Sequence, residues 1–122
     1  MIVRGIRGAT TVDRNEEKQI TEASMNLLKE MIKLNNIQSE QVASLFISVT
    51  SDLSASFPAK ALRQLEGYQF VPVMCMKEID VKDSMPMCIR MMMHINTTMD
   101  QVDIHHVYLK EAVGLRPDLI DK

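Results

Sequence analysis

The sequence predicts an α+β domain: one mixed sheet of five strands, with one long and one short helix on one face. Three observations predict it. Apolar, β-forming runs recur five times, at residues 1–12, 43–50, 68–75, 88–95 and 104–110. After the first run, Ile20, Ser24, Leu27, Leu28, Met31 and Leu34 recur at helical spacing and form one apolar stripe. Helical signals fall only between the first three runs, so the order is β, long α, β, short α, then three strands.

Each element has its own local reason. In the first strand, Ile2, Val3 and Ile6 are β-formers, and Gly5 and Gly8 admit a neighbouring backbone. Val3, Gly5 and Arg7 share one face of it. Asp13 can cap the long helix, with Glu16 in capping-box position and Glu17 also suiting the positive end of the dipole. Asn35 and Asn36 provide a left-handed stop. Ser39 caps a short turn before the apolar strand ASLFISVT. Residues 50–56 are small and polar, which reads as a loop. Phe57, Pro58 and Ala59 open the short helix, with proline in the first turn where a missing N–H costs little, and Gly67 ends it. Pro72 marks the third strand as an edge or a bulge. Residues 97–103 form a polar connection with room for a helical turn. Regular structure stops at Pro117.

Length and composition set the limits. The 122 residues read as one domain, 1–122, with residues 115–122 expected as a mobile C-terminal tail. A hydrophobic fraction of 46% argues against disorder. With 4% aromatic residues and 11 methionines, the core is adaptable and leans on subunit contacts for rigidity. A net charge of −2 without basic runs excludes the electrostatic footprint of a nucleic-acid binder. No apolar run is long enough to span a membrane, and Arg4 and Arg7 interrupt the start as a secretory leader. Two cysteines are too few for a disulfide framework, so reduced thiols and a cytoplasmic setting are expected, with a Cys75–Cys88 bridge the lesser alternative.

The chemistry-bearing residues cluster around VPVMCMKEIDVKDSMPMCIRMMM (71–93), read as two strands joined by a short polar connection. A strand, a turn and a return strand would bring Glu78 and Arg90 to one end of a sheet. Arg7 and Arg90 lie within strands, where arginine is either paired or exposed on an edge; the paired reading makes them forks for carboxylates. Glu78 alone reads as a solvated loop charge, Cys75 alone as a small buried hydrophobe, and Tyr108 as a ligand donor or a core residue with one hydrogen bond. His94, His105 and His106 make no metal site, because the last two point to opposite strand faces and no cysteine pair has ligand spacing. GIRGAT lacks the lysine and spacing of a phosphate loop. No nucleophile–base constellation stands out. These residues describe a site that holds an anionic small molecule with arginines and one acid.

Six fragments carry a resemblance: RGIRGATTV (4–12), FPAKALR (57–63), CMKEIDV (75–81), CIRMMM (88–93), HVYL (106–109) and LRPDL (115–119). In this order and spacing they resemble the AroH-class chorismate mutases over nearly the whole chain. The resemblance implies the rearrangement of chorismate to prephenate, with no cofactor or metal. It also implies the trimer fold of that class, a homotrimer with active sites at subunit interfaces. By the same resemblance, Arg90 sits beside the ether oxygen of the breaking bond, and Glu78 holds the ring hydroxyl with Cys75 adjacent. Arg7 meets a carboxylate, with Tyr108 close by. Val73 and Met74 line the pocket, Leu115 closes it, and Arg116 contacts the substrate from the tail. Phe57, Ala59, Lys60 and Arg63 form a wall given by the neighbouring subunit. The sequence departs from the family pattern at Met74, often threonine there, at Met87, often basic, and at Gly114, usually apolar. Two other readings compete: an enamine/imine deaminase of similar trimer architecture, and a non-catalytic module binding a shikimate-type acid. The acid, the CIR arginine and the full RGIRGATT strand argue against the first, and the intact Glu78/Arg90 pair against the second.

Overall fold

The computed structural model describes residues 1–115. Five strands, β1 (Ile2–Thr11), β2 (Val42–Val49), β3 (Val73–Lys77), β4 (Cys88–Thr97) and β5 (Val107–Tyr108), form one sheet in the order β3-β2-β4-β1-β5. β4 is antiparallel to both of its neighbours, while β1/β5 and β2/β3 are parallel, so the sheet is mixed. Helix α1 (Glu17–Leu34) packs on β1, and the short α2 (Lys60–Arg63) packs beside α1.

The period-two pattern divides the sheet. Ile6 on β1, Leu45 and Ile47 on β2, and Ile89, Met91, Met93 and Ile95 on β4 point into the core with Ile20, Leu27, Leu28 and Met31 of α1. The alternate residues form an open face, where Arg7, Ser48, Phe46, Arg90, Met92 and His94 are only partly covered. Gly8 lies under α1: a Cβ there would stand 2.5 Å from Met31 Sδ. At one end of the open face Ala9, Cys88 and Ala112 form a second buried cluster, capped by the 3₁₀ turn Lys110–Gly114.

Several local expectations are corrected. α1 begins at Glu17, not after Asp13; Glu16 occupies the cap position, and its side chain accepts from Gln19 rather than closing a box with Asp13. The turn at Ser39–Gln41 is capped reciprocally by Gln38 and Gln41, not by Ser39. β3 starts at Val73 rather than at Tyr68, because Gly67 (φ 87°) turns the chain and Leu65, Tyr68 and Val71 donate their N–H groups in local turns. It is an edge strand, as Pro72 implied.

The fifth strand shrinks to two residues. Asn35 takes both backbone groups of His105, and the His106 ring accepts the Arg7 N–H, so side chains replace the ladder there. Lys110, at φ 54°, ends the strand direction. β3 and β4 are not a hairpin, since β2 lies between them. Cys75 and Cys88 are both free: the first packs toward the core, the second on the open face, so no bridge forms.

Candidate active site

The open face carries a cavity of about 410 Å³, lined by Arg7, Glu78, Arg90, Tyr108 and Leu115, with Phe46, Ser48 and Met92 as its floor and side. Register brings them together. Arg7 stands opposite Met92 and Ala9 opposite Arg90, so the two arginines share one face of adjacent strands. Ser48 stands opposite Arg90 on the other side of β4. β5 runs parallel to β1 with Ala9 beside Tyr108, which sets the phenol at the same end.

Glu78 follows the last residue of β3. Its N–H donates to Val49 O at 2.8 Å, which continues the β2–β3 edge by one more bond. Its Oε2 accepts from Ser48 Oγ at 2.9 Å, and its Oε1 lies 3.7 Å from Arg90 Nη1. The acid and the guanidinium therefore meet across β2, not across a hairpin. Arg90 Nε and Tyr108 Oη are buried and have no partner among the described residues. A buried donor without a partner is costly, and such atoms beside a cavity are ready to be satisfied by a bound molecule. Two arginines against one carboxylate leave the cavity cationic, which suits an anion.

Cys88 sits beside this group. Burial pushes its thiol above the ordinary value, while the neighbouring Arg90 guanidinium pulls part of the way back. At neutral pH it is a neutral thiol that packs against Ala9 and Ala112.

The remaining expected residues fall elsewhere. Cys75, Phe57 and Lys60 line a second cavity of about 600 Å³, and Lys60 pairs with Glu17 at 3.0 Å there. Met76 and Lys77 of β3 border both cavities, so the edge strand is the partition between them. Ala59 is buried in the core, Val73 packs against it, and Met74 and Arg63 are exposed; none of the four lines either cavity. Arg116 lies outside the described residues.

Sequence reasoning missed Ser48. Its signal was present in the alternation of Ser44, Phe46 and Ser48 with Leu45, Ile47 and Val49, which puts both serines on the face that carries Arg90. Among the described residues no group of three His, Cys, Asp or Glu side chains is placed to hold a metal ion.

Comparison with known proteins identifies the family. Residues 3–119 match the chorismate mutase type I family. The chain is 50% identical over 119 residues to chorismate mutase AroH of Bacillus subtilis, covering 98% of this chain and 94% of that one. It is 45% identical over 119 residues to chorismate mutase AroH of Thermus thermophilus, covering 97% of each. A solved chorismate mutase from Clostridium thermocellum superposes with a TM-score of 0.86 at 47% identity, over 88% of this chain and 96% of that one. A match that spans the sheet, both cavities and the strand bearing Arg90 places this chain in the type I chorismate mutase family.

Proposed function

We propose that this chain catalyses the rearrangement of chorismate to prephenate, and that Arg90 supplies the principal stabilisation. The carrying observation is the Arg90 guanidinium: it is fixed beside Glu78, and its Nε is buried and unpartnered next to a cavity that also holds Arg7 and Tyr108.

The reaction is unimolecular and pericyclic. It needs no nucleophile and no proton transfer. The protein must hold the substrate in its compact diaxial conformer and stabilise the negative charge that grows on the ether oxygen as the C–O bond breaks. A rate gain on the order of a millionfold requires about 8 kcal/mol. One pre-placed donor to a developing oxyanion supplies roughly 3–4 kcal/mol of that. The rest comes from conformational restraint and the other polar contacts. In this reading Arg90 faces the ether oxygen and is worth more in the transition state than in the ground state. Glu78 accepts from the ring hydroxyl, Arg7 binds a carboxylate with Tyr108 beside it, and Leu115 bounds the mouth.

The site is read as completed by a neighbouring copy. Phe57, 71% exposed, and Lys60 stand at the second cavity of the same chain, separated from Arg90 by β3. A homotrimer lets that surface of one subunit wall the Arg90 cavity of the next, with Ala59 and Arg63 supporting the wall. Exposed apolar side chains on the open face support such an assembly: Val3, Phe46, Met74 and Met76. Cys75, Val73 and Met74 then act from the edge strand at the border of the shared site. No helix among the described residues is long and apolar enough to cross a membrane; a cytoplasmic setting is the one this biosynthetic role calls for.

The test is direct. Purified protein is added to chorismate, loss of its ultraviolet absorbance is followed, and prephenate is confirmed chemically. Turnover abolished by Arg90→Ala in a folded protein supports the assignment. Binding without turnover makes the chain a binding module, and near-native turnover by Arg90→Ala removes Arg90 from its role.

A further inference from the structure

Among the described residues, Ser48 and Arg90 are what hold the Glu78 side chain. Beyond its own backbone bond to Val49, the chain leaves the sheet, and Ile79 and Val81 are 78% and 60% exposed. A glutamate there has three free torsions and an arginine within reach. Left to itself, a carboxylate closes on a guanidinium at roughly 2.7–2.9 Å, commonly through two parallel bonds. Here Oε1 stands off at 3.7 Å from Nη1. What competes with closure is on β2: Ser48 Oγ donates to Oε2 at 2.9 Å, from the residue directly opposite Arg90 in the ladder.

We infer that Ser48 is a positioning residue that holds the Glu78 carboxylate apart from Arg90, keeping guanidinium donors available to the substrate. The hydroxyl occupies one carboxylate oxygen and fixes the plane of the group. The other oxygen stays in a long ion pair with Arg90, 3.7 Å from Nη1, rather than closing on it. Placed on a central strand between β3 and β4, the serine is set by the sheet itself, a firmer anchor than the exposed loop that follows Glu78. The inference rests on the chorismate mutase reading for its kinetic consequence, but its geometric consequence does not.

The experiment combines kinetics with crystallography of Ser48→Ala, Ser48→Thr, Glu78→Ala and the Ser48→Ala/Glu78→Ala pair. Losing one hydrogen bond to a charged group should lower kcat for chorismate about tenfold in Ser48→Ala. KM should move by less than about threefold, because the donors lost act on developing charge. Ser48→Thr, which keeps the hydroxyl, should restore most of kcat. In the Glu78→Ala background Ser48→Ala should change kcat by less than about twofold, a non-additivity that a merely structural serine would not produce. In crystals of Ser48→Ala the Nη1–Oε1 separation should close to about 2.8 Å. Unchanged kcat, additive effects in the double variant, or a separation that stays near its present value would each overturn the inference. If the native protein does not turn chorismate over, the reaction reading fails, and the crystallographic separation alone decides the role of Ser48.

Discussion

The Asp52 carboxylate receives the Met87 N–H on both oxygens, at 3.2 and 3.0 Å. Met87 needs that support, because its φ of 53° is a conformation L-residues rarely adopt. Its carbonyl accepts from Val12 N at 3.0 Å, so the residue is held from the ends of β1 and β2 at once. Thr50 completes the clasp: its hydroxyl donates to Asp52 at 2.5 Å and accepts the Cys88 N–H at 3.0 Å. Arg90 stands three residues after Met87. The clasp holds the start of β4, the strand whose register puts Arg90 opposite Ala9 and Ser48.

Asp52→Ala should therefore destabilise the fold by about 1–2 kcal/mol, since it removes the bonds that hold a left-handed residue. Urea denaturation would show it as a lower midpoint at unchanged slope. A variant as stable as the native protein would mean that the strand ladder alone fixes Met87.

Gly8 and Met31 make a second measurable pair. A Cβ on Gly8 would lie 2.5 Å from Met31 Sδ and 3.1 Å from Leu27 Cδ1, inside a fully buried contact between β1 and α1. Gly8→Ala should cost about 1–3 kcal/mol through overpacking. Met31→Ala alone opens a cavity and should cost about 2–5 kcal/mol. The double variant should cost clearly less than the two together, because the added methyl enters the space the methionine leaves. Additive losses would show that the glycine is needed for another reason.

The elements that local pattern decides were legible, and those decided by strand order were not. Ile20 to Met31 announced α1, and Asn36 does stop it, at φ 50°. Arg7 was placed on the correct strand, because a period of two is a property of the local chain. The hairpin reading of residues 71–93 failed because nothing local to them records that β2 inserts between β3 and β4. Residues 104–106 look like strand in sequence, yet Asn35, 70 residues away from His105, takes the His105 backbone. Ser48 went unread because its significance depends on Glu78 reaching it from the next strand. Cys75, three residues before Glu78, faces the other cavity because it lies on the core side of the edge strand.

Alkaline pH should weaken the fold through Cys88. Burial raises its thiol above the ordinary value of 9.0 despite Arg90 nearby. The sign follows from proton binding: above about pH 9 the unfolded chain releases this proton while the native chain keeps it, so stability falls as pH rises. The contribution is fully present below the unfolded value and is lost as pH rises through the folded one. Tyr68, also raised by burial, acts in the same direction at higher pH. The urea midpoint should drop as the pH is raised above about 9, and drop less steeply in Cys88→Ala. Equal slopes for the two proteins would show that the thiol is not a source of the loss.

Arg90→Lys tests the shape of the cation rather than its charge. Lysine keeps a positive charge but loses the planar fork and the buried Nε donor. With chorismate as substrate, kcat should fall about 10²–10³-fold, the scale of one lost donor to a developing oxyanion, with a smaller change in KM. A lysine variant within about tenfold of native kcat would mean that charge, not geometry, is what the site requires.

Arg63 and Arg90 together test whether one site draws on two subunits. Arg63, the last residue of α2, is exposed and lines neither cavity of its own chain. In the proposed trimer it serves the neighbour's Arg90 cavity. Arg63→Ala and Arg90→Ala homotrimers should each be nearly inactive. Unfolded together and refolded at equal concentration, they should form mixed rings. In a cyclic trimer every mixed ring then contains one site with both arginines intact, so random mixing should recover about a quarter of native activity. Native mass spectrometry would verify the mixed rings independently of turnover. Mixed rings without recovered activity would show that each site is built within a single chain.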